Sequence, residues 1–333
     1  MTDRLIPAFE AGQREAFGRA PITYAHRLLE TGLFEDEALA RQLERHPAEL
    51  FDINIFHYDA DDQAMLQTGT KGRRGGEALL EAAKAGRMWI QMRRIQDHWP
   101  ELAEVMRRTF ADLSDHVPGF NPVQVTGQLI LSAPSAKVPF HADPPGVTLF
   151  HLRGEKRIWI YPVDETHMPS RSMENIVLEQ QTEDLPYRRE MDAAAEVFDL
   201  KPGMAVAWPL HAPHRIENQG SFNVSLSCDY QTWRSRVTNG AHYTNGVLRR
   251  WGAPVLPADR APMAARAALW SASLGLRRLG VVRTRLESYE RAFELGEEPP
   301  PPDKGLISPL AMRQAPPATG RRASRDGADP FLQ

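Results

Sequence analysis

The chain has 333 residues, of which 42% are hydrophobic, enough apolar material for one large domain or for a domain with appendages. Its formal net charge of −3 excludes a global electrostatic attraction to nucleic acid or to an anionic membrane. The single cysteine, Cys228, excludes an internal disulfide framework and a multi-cysteine zinc site. No apolar signal region opens the chain and no apolar run reaches ~18 residues, so we expect a cytoplasmic protein without a transmembrane segment.

The first part of the chain is expected to be mainly helical and to support a sheet that follows it. Apolar residues at helix-compatible spacing predict helices over 21–31 and 36–46, with Gly32 between them. Alternation over 51–56 predicts a strand. The clearest helix is predicted over 100–115, because a proline suits its first position and its apolar residues share one face. We expect this helix to pack against the outside of a barrel.

A His-x-Asp pair, His57 and Asp59, follows the predicted strand. The stretch 60–76 after it is mostly polar and becomes glycine-rich, which favours a loop over paired strands. We therefore expect this pair not to bind metal. The basic segment 71–76 is a solvated turn in the simpler interpretation and a lid over the substrate in the other.

From 123 to 233, short strand-like runs are separated by turn residues such as Pro202-Gly203. That spacing predicts a mainly β architecture, a double-stranded β-helix of the jelly-roll or cupin type, with helical flanks at both ends in an α+β arrangement. The long charged segment 164–195 interrupts the strands. We interpret it as an insertion that faces the substrate.

Three side chains are candidates for one metal site. His141 and Asp143 are two positions apart in an extended apolar run, and residues i and i+2 of a strand point to the same face. Another imidazole, His214, follows Pro209 further along the chain. Two histidines and one carboxylate on one face of an ion form the facial triad of non-haem Fe(II) oxygenases. His214 is favoured over His211 because it begins a strand-like run; His211 is then a residue that orients a ligand.

A lysine completes the candidate site. The run 155–161 follows a glycine turn and is rich in β-branched and aromatic residues, so it predicts a strand. Alternation puts Lys156, Ile158 and Ile160 on one face. If this apolar face lies in the interior, the buried ammonium group needs a partner, because an unpaired buried charge is costly. A dicarboxylate with one end on the metal would supply that partner.

The pair His141 and Asp143, followed by Lys156 and by the segment 209–218 with its His214, resembles the JmjC/cupin-type oxygenases that depend on 2-oxoglutarate. The resemblance implies that the two histidines and the aspartate are the catalytic residues and bind Fe(II). It also implies that Lys156 holds the far carboxylate of the co-substrate 2-oxoglutarate.

The sequence departs from the family pattern at the co-substrate pocket. Many relatives carry a hydroxyl residue three positions before the first histidine, where this chain has Val138. Thr148, Ser225 or Ser227 would compensate for that missing hydroxyl group. The last strand of the family often carries an asparagine, and its counterpart is Ser227 or, in another register, Asn223.

Four regions are expected along the chain: a helical N-terminal support region (1–87), a barrel (88–235), a C-terminal helical region (236–296) and a disordered tail (297–333). The family resemblance covers 88–232. The arginine-rich C-terminal helices are a solvated, salt-bridged pair in one interpretation. In the other they form a homodimer or a basic groove for an acidic partner.

The function that the resemblance implies is that of a dioxygenase using Fe(II) and 2-oxoglutarate. Such an enzyme hydroxylates its substrate, or demethylates it where the attacked carbon bears nitrogen; a protein, a peptide, a lipid and a small molecule all remain open as substrates. A cupin metalloenzyme that does not use 2-oxoglutarate would keep the metal ligands but give Lys156 a structural role. A non-catalytic ligand-binding or regulatory cupin would keep only the barrel.

Overall fold

The computed structural model describes residues 4–58, 64–86, 88–285, 293–295 and 312–313. In that part of the chain the α-helices are α1 (Ala11–Ala16), α2 (Asp36–Arg45), α3 (Gly76–Ala85), α4 (Pro100–His116), α5 (Ser170–Val177), α6 (Trp233–Arg250) and α7 (Met263–Arg278). The strands are β1 (Ile22–Ala25), β2 (Phe51–Tyr58), β3 (Ala64–Thr70), β4 (Met88–Arg93), β5 (Gln124–Ser132), β6 (Lys137–His141), β7 (Gly146–Arg153), β8 (Lys156–Ile160), β9 (Glu196–Leu200), β10 (Met204–Ala207), β11 (His214–Asn218), β12 (Asn223–Gln231), β13 (Phe293–Leu295) and β14 (Met312–Arg313).

The described strands form two sheets. The large sheet has the order β1-β10-β7-β12-β5-β4-β2-β3-β13-β14, and the small sheet has the order β6-β11-β8-β9. From β5 to β12 the chain passes repeatedly between them: β5, β7, β10 and β12 lie in the large sheet and the other four in the small one. Leu149 and Val206 of the large sheet share an apolar cluster with Ile158 and Ile160 of the small sheet. The two sheets therefore face each other across an interior lined by alternate residues of each strand.

Helix α4 covers the outer face of the large sheet, as the sequence predicted. Its apolar face is buried, with Leu102 and Phe110 in the larger apolar core. The helix lies close to β5 at Gly127, where a Cβ atom would come within 2.8 Å of Met106 Sδ and 2.9 Å of Ile95 Cγ2. Each large side chain buried in such a face stabilises the fold by ~1.5–3 kcal/mol. This layer holds β5, and through it the neighbouring β12, in a fixed position.

Helix α6 follows β12 directly and packs against both α5 and α7. A capping box begins it: the Thr232 hydroxyl accepts from the Ser235 backbone N–H, and the Ser235 hydroxyl lies 2.9 Å from the Thr232 backbone nitrogen, which donates to it. Gly240 faces the ring of Trp270 on α7, and Gly246 faces the end of α5. A Cβ atom at either glycine would clash, so these two positions allow three helices to approach closely.

The helix predicted over 21–31 is wrong. Strand β1 lies there instead, followed by a short 3₁₀ turn at Leu28–Thr31. The strand pairs in antiparallel fashion with β10, and its alternate residues Ile22 and Tyr24 are buried. Pairing with the edge of a sheet overrides the helix-compatible spacing, which reflects only local preference.

The loop predicted over 60–76 is wrong in part, because β3 lies within it and pairs with β2. Asp59 of the His-x-Asp pair lies outside the described residues. At the start of the basic segment, Lys71 is buried rather than solvated. Its Nζ atom donates to three carbonyl oxygens 2.8–2.9 Å away, those of Leu43, Glu44 and His46. Lys71 therefore anchors the end of α2, and neither a solvated turn nor a lid describes it.

The other predicted elements correspond to structure. The helix over 36–46 is α2, the strand over 51–56 is β2, and the insertion 164–195 joins β8 to β9 and contains α5. Strands β1, β2 and β3 join the large sheet, so the region 1–87 contributes more than helical support. Nearly all of the predicted tail at 297–333 lies outside the described residues. No described helix combines the length and the apolarity needed to cross a bilayer.

Candidate metal centre

The two candidate imidazoles are brought together by strand register. His141 ends β6, His214 begins β11, and the two residues are direct partners in the antiparallel β6–β11 pair. Their ring centroids are 4.2 Å apart. Asp143 lies two residues beyond the end of β6, so its carboxylate approaches from the following turn and not, as the alternation argument assumed, from the same strand.

The donor atoms of the three residues converge. The distance from His141 Nε2 to Asp143 Oδ1 is 3.7 Å, and that from His214 Nε2 to Asp143 Oδ2 is 3.5 Å. All three residues offer an atom within 4.8 Å of the others. Adjacent ligands of one ion with bonds of ~2.0–2.2 Å are ~3 Å apart. The triad is therefore close to the spacing at which a single ion would be shared.

Backbone carbonyls set the tautomers of both histidines. His141 Nδ1 lies 2.8 Å from the Pro139 oxygen, and His214 Nδ1 lies 3.2 Å from the Ala212 oxygen. A carbonyl oxygen only accepts, so each Nδ1 carries a proton, and in the neutral form of each ring Nε2 presents its lone pair towards Asp143. Burial, and then the neighbouring His141, lowers the pKa of His214 to about 4. This ring is therefore neutral at pH 7, the state that binds metal ions.

One side of the triad stays accessible. The side chain of His214 is 3% exposed, whereas those of His141 and Asp143 are 17% and 21% exposed. On the inner face of the large sheet, Gln128 Nε2 donates to Asp229 Oδ2 at 3.0 Å. Burial, and then Asp143, raises the pKa of the Asp229 carboxyl group. The proximity of Asp229 to Asp143 depends on the packing of the two sheets.

The insertion borders the first histidine. The Ala142 N–H donates to the Glu183 carbonyl at 3.2 Å, and the Leu185 N–H donates to the Phe140 carbonyl at 3.0 Å. These bonds run on either side of His141. The charged segment after β8 therefore extends β6 at its end and forms part of the rim of the site.

Lys156 lies where alternation predicted. It shares the inner face of β8 with Ile158 and Ile160, and it is 4% exposed. It pairs across to Asn218, on the same strand that His214 begins. Among the described residues, no carboxylate forms an ion pair with its ammonium group and no acceptor forms a hydrogen bond with it. Burial lowers the pKa of Lys156 to about 7.

The group near Lys156 is a neutral imidazole. His151 Nε2 donates to the Gly154 carbonyl at 2.9 Å, and its Nδ1 lies 3.1 Å from the Ser225 hydroxyl, which donates to it. Burial, and then the charge of Lys156, lowers the pKa of His151 to about 3. This imidazole gives Lys156 no negative charge, although a buried cation needs one.

The remaining co-substrate candidates separate into two groups. Ser227 and Asn223 occupy alternate positions of β12 together with Ser225, whereas the intervening residues of that strand belong to the outer core. Asn223 Oδ1 is buried and has no hydrogen-bond partner in the described part of the chain. Thr148 does not share this face of the sheet. Its hydroxyl lies 2.5 Å from that of Tyr24, on the outer face of the large sheet.

Two further positions concern the alternatives left by the sequence. Val138 packs against the inner apolar cluster, opposite Ile216. His211 is not among the converging ligands. It belongs to a second donor cluster with His242 and Asp259, and its Nε2 atom is already bonded to Asn239. The structure thus brings His214, and not His211, next to the first histidine.

No protein-family model and no curated protein matches the chain significantly. Among solved structures, one of E. coli ycfD has a TM-score of 0.48 and 15% sequence identity, covering 87% of this chain and 71% of that chain. A structure of YcfD, a ribosomal oxygenase from Escherichia coli, in complex with cobalt and 2-oxoglutarate has a TM-score of 0.45 and 15% identity over 85% and 69% of the two chains. A third, with cobalt and succinic acid, has a TM-score of 0.44, 15% identity and the same coverage.

Of these three structures, one contains cobalt with 2-oxoglutarate and another contains cobalt with succinic acid. Because the identities are near 15% and the TM-scores lie below 0.5, the function of this chain has to follow from its own residues.

Proposed function

We propose that the chain is an Fe(II)- and 2-oxoglutarate-dependent dioxygenase that hydroxylates a protein, a peptide or a small molecule. The observation that carries the proposal is that two complementary groups share one interior. The donor atoms of His141, Asp143 and His214 converge, and the ammonium group of Lys156 is buried and has no acidic partner among the described residues. A dicarboxylate bound to a metal ion at the triad would satisfy both groups at once.

Different residues of the chain would bind the metal, bind the co-substrate and exclude water. His141, Asp143 and His214 would hold the iron through two Nε2 atoms and a carboxylate. When bound, Fe(II) supplies dioxygen activation coupled to oxidative decarboxylation of 2-oxoglutarate and oxidation of a substrate C–H bond. Lys156 would pair with the far carboxylate of the co-substrate and so fix its orientation. The apolar wall of Ile158 and its neighbours excludes water from the space between.

We also infer that β5 to β12 form a double-stranded β-helix of the cupin type. The support is the strand order: the eight strands divide equally between two facing sheets, and all pairings among them are antiparallel. In this architecture the two histidines come from the small sheet, Asp143 comes from the turn after β6, and the large sheet supplies the opposite wall.

The test is an anaerobic titration with Fe(II) and then with 2-oxoglutarate, in which the metal-to-ligand charge-transfer band is recorded. We expect the band in the wild type and its loss in His214→Ala. Lys156→Ala should weaken 2-oxoglutarate binding by ~100-fold or more, because a buried ion pair loses one partner. It should leave iron affinity unchanged. Arg157→Ala is the matched control, since Arg157 lies on the outward face of the same strand and pairs with Asp199.

Other results of this titration would favour one of the alternative functions. Iron binding without a response to 2-oxoglutarate would indicate a cupin metalloenzyme of another class. Absence of metal binding would indicate a non-catalytic ligand-binding or regulatory protein. Equal effects of Lys156→Ala on iron and on co-substrate, or no effect on either, would contradict the role given to the lysine. A cytoplasmic location and a homodimer through the C-terminal helices stay predictions; light scattering on the purified protein checks the second.

A further inference from the structure

One buried amide links the two chain segments that carry the metal ligands. Asn239, on the helix α6, is 1% exposed. Its Nδ2 atom donates to the carbonyl oxygen of Pro144 at 2.9 Å, and its Oδ1 atom lies 2.7 Å from His211 Nε2. Pro144 directly follows Asp143, and His211 lies three residues before His214. A single side chain outside both sheets therefore touches both ligand-bearing turns.

The two hydrogen bonds fix the orientation of the Asn239 amide group. The Pro144 oxygen can only accept, so the amide nitrogen of Asn239 must face it and the amide oxygen must face His211. His211 then has to donate, which places its proton on Nε2. Burial lowers the pKa of His211 to about 4, so the ring is neutral at pH 7 and the donor is an ordinary N–H group. Both bonds are satisfied in one arrangement only.

The turn that His211 occupies needs such support. His211 has a φ of 65°, in the left-handed region that non-glycine residues rarely adopt. Behind it, the ring of His242 packs edge-on with its centroid 5.2 Å away, and His242 Nε2 lies 3.4 Å from Asp259 Oδ1. Asn239 and His242 are three residues apart and so lie on the same face of α6. That face holds the turn in its strained conformation.

We propose that Asn239 is a positioning residue that sets the separation between Asp143 and His214. The proposal rests on the proposed function, since it concerns the geometry of the same metal centre. Neither ligand touches Asn239 directly; it acts through the carbonyl group that follows one ligand and through the turn that precedes the other. Outer-shell partners of this kind typically change metal affinity by ~10–100-fold.

The experiment compares Asn239 with Asn245, a second asparagine on α6 that is 2% exposed and donates to the Leu256 carbonyl at 2.8 Å. Asn245 contacts neither ligand-bearing turn through that bond, so it matches Asn239 in helix, burial and chemistry. The variants are N239D, N239A, N245D and N245A. N239D keeps an acceptor for His211 and loses the donor to Pro144, so it breaks one half of the link.

Two measurements are made on the full chain. Titration of the metal-free protein with Co²⁺ gives the affinity, and hydrogen exchange of the metal-free protein reports the segments 141–146 and 209–214. We expect both Asn239 variants to bind Co²⁺ ~10–100-fold more weakly and to exchange faster in these two segments. N239D should affect 141–146 more than 209–214. The Asn245 variants should lower the melting temperature yet leave the Co²⁺ affinity and both segments unchanged.

Failure of the inference about Asn239 and failure of the proposed function would give different results. If wild-type protein binds Co²⁺ and His214→Ala does not, but the Asn239 variants bind it as the wild type does, Asn239 is not a positioning residue and the proposed function stands. Unchanged exchange of both segments in N239D and N239A overturns the inference whether or not metal binds. If the Asn245 variants reproduce both effects, general loosening of α6 explains them and the inference is also overturned.

Discussion

The buried lysine makes a quantitative prediction about pH. Burial lowers the pKa of Lys156 to about 7. Burial, and then the charge of Lys156, lowers the pKa of the neighbouring His151 to about 3, so this imidazole does not titrate near neutrality. A carboxylate binds the charged lysine, so the bound state raises this pKa again. Co-substrate affinity should therefore be highest below pH 7 and should fall as the pH rises through 7, where the free protein loses the proton.

The size of the effect follows from the protonated fraction. With a pKa of about 7, that fraction falls from ~90% at about pH 6 to ~3% at about pH 8.5. The apparent dissociation constant of 2-oxoglutarate should rise ~30-fold over this range, or ~2 kcal/mol. Lys156→Arg keeps a charge at every pH in the range, so its affinity should vary little.

The assay is calorimetric titration of 2-oxoglutarate into Co²⁺-loaded protein at several pH values. The wild type and Lys156→Arg are compared at each pH. The co-substrate carboxylates stay ionised throughout, so they do not contribute to the slope. An affinity that does not depend on pH in the wild type would refute the reasoning. So would an identical slope in Lys156→Arg, because the titrating group would then lie elsewhere.

Three further predictions concern stability. Lys156→Met should raise the unfolding free energy without ligands by ~1–4 kcal/mol at pH 7, because it removes an uncompensated buried charge; a lower melting temperature would contradict this. Asp192→Asn should lower the unfolding free energy measured in urea by ~1–3 kcal/mol. Asp192 accepts a hydrogen bond of 2.7 Å from Arg215 Nη2, and this bond holds the insertion against β11. An unchanged urea midpoint would show that the insertion does not depend on this bond. Gly127→Ala should cost ~1–3 kcal/mol through overpacking against Ile95 and Met106. The cost should be smaller when the substitution is made in a Met106→Ala variant, and an equal cost in both backgrounds would contradict this.

The meeting of the two candidate histidines was predictable because it depends on strand geometry, whereas Asp143 lies in the turn after β6. A histidine at the end of β6 and another at the start of β11 meet once the two strands pair, and Lys156 faces inwards because strand residues alternate. Thr148 was misplaced for a related reason. Alternation shows which residues of a strand share a face. Which of the two faces is the inner one depends on the layer that packs outside the sheet, and Thr148 faces that layer, where its hydroxyl contacts Tyr24.

The N-terminal strands and Asn239 had no adequate local signal. Ile22 and Tyr24 fit a helix as well as a strand until β10 offers its edge. Asn239 lies within a helix, where an asparagine carries no distinctive pattern, and its partners come from segments remote in the sequence. The role of such a residue is visible only when α6 is packed against both turns.

The register of β6 and β11 has a consequence for how this chain tolerates change. His141 and His214 are cross-strand partners, and the pairing shifts between His214 and Ile216. A single-residue deletion within β6, before His141, would change its register and separate the imidazoles, and one within β11 would turn the side chains after it to the opposite face. Insertions in the connections, including the segment 164–195, leave that pairing intact. Variation in length during evolution or engineering should therefore accumulate in the connecting segments, while β6 and β11 keep their lengths.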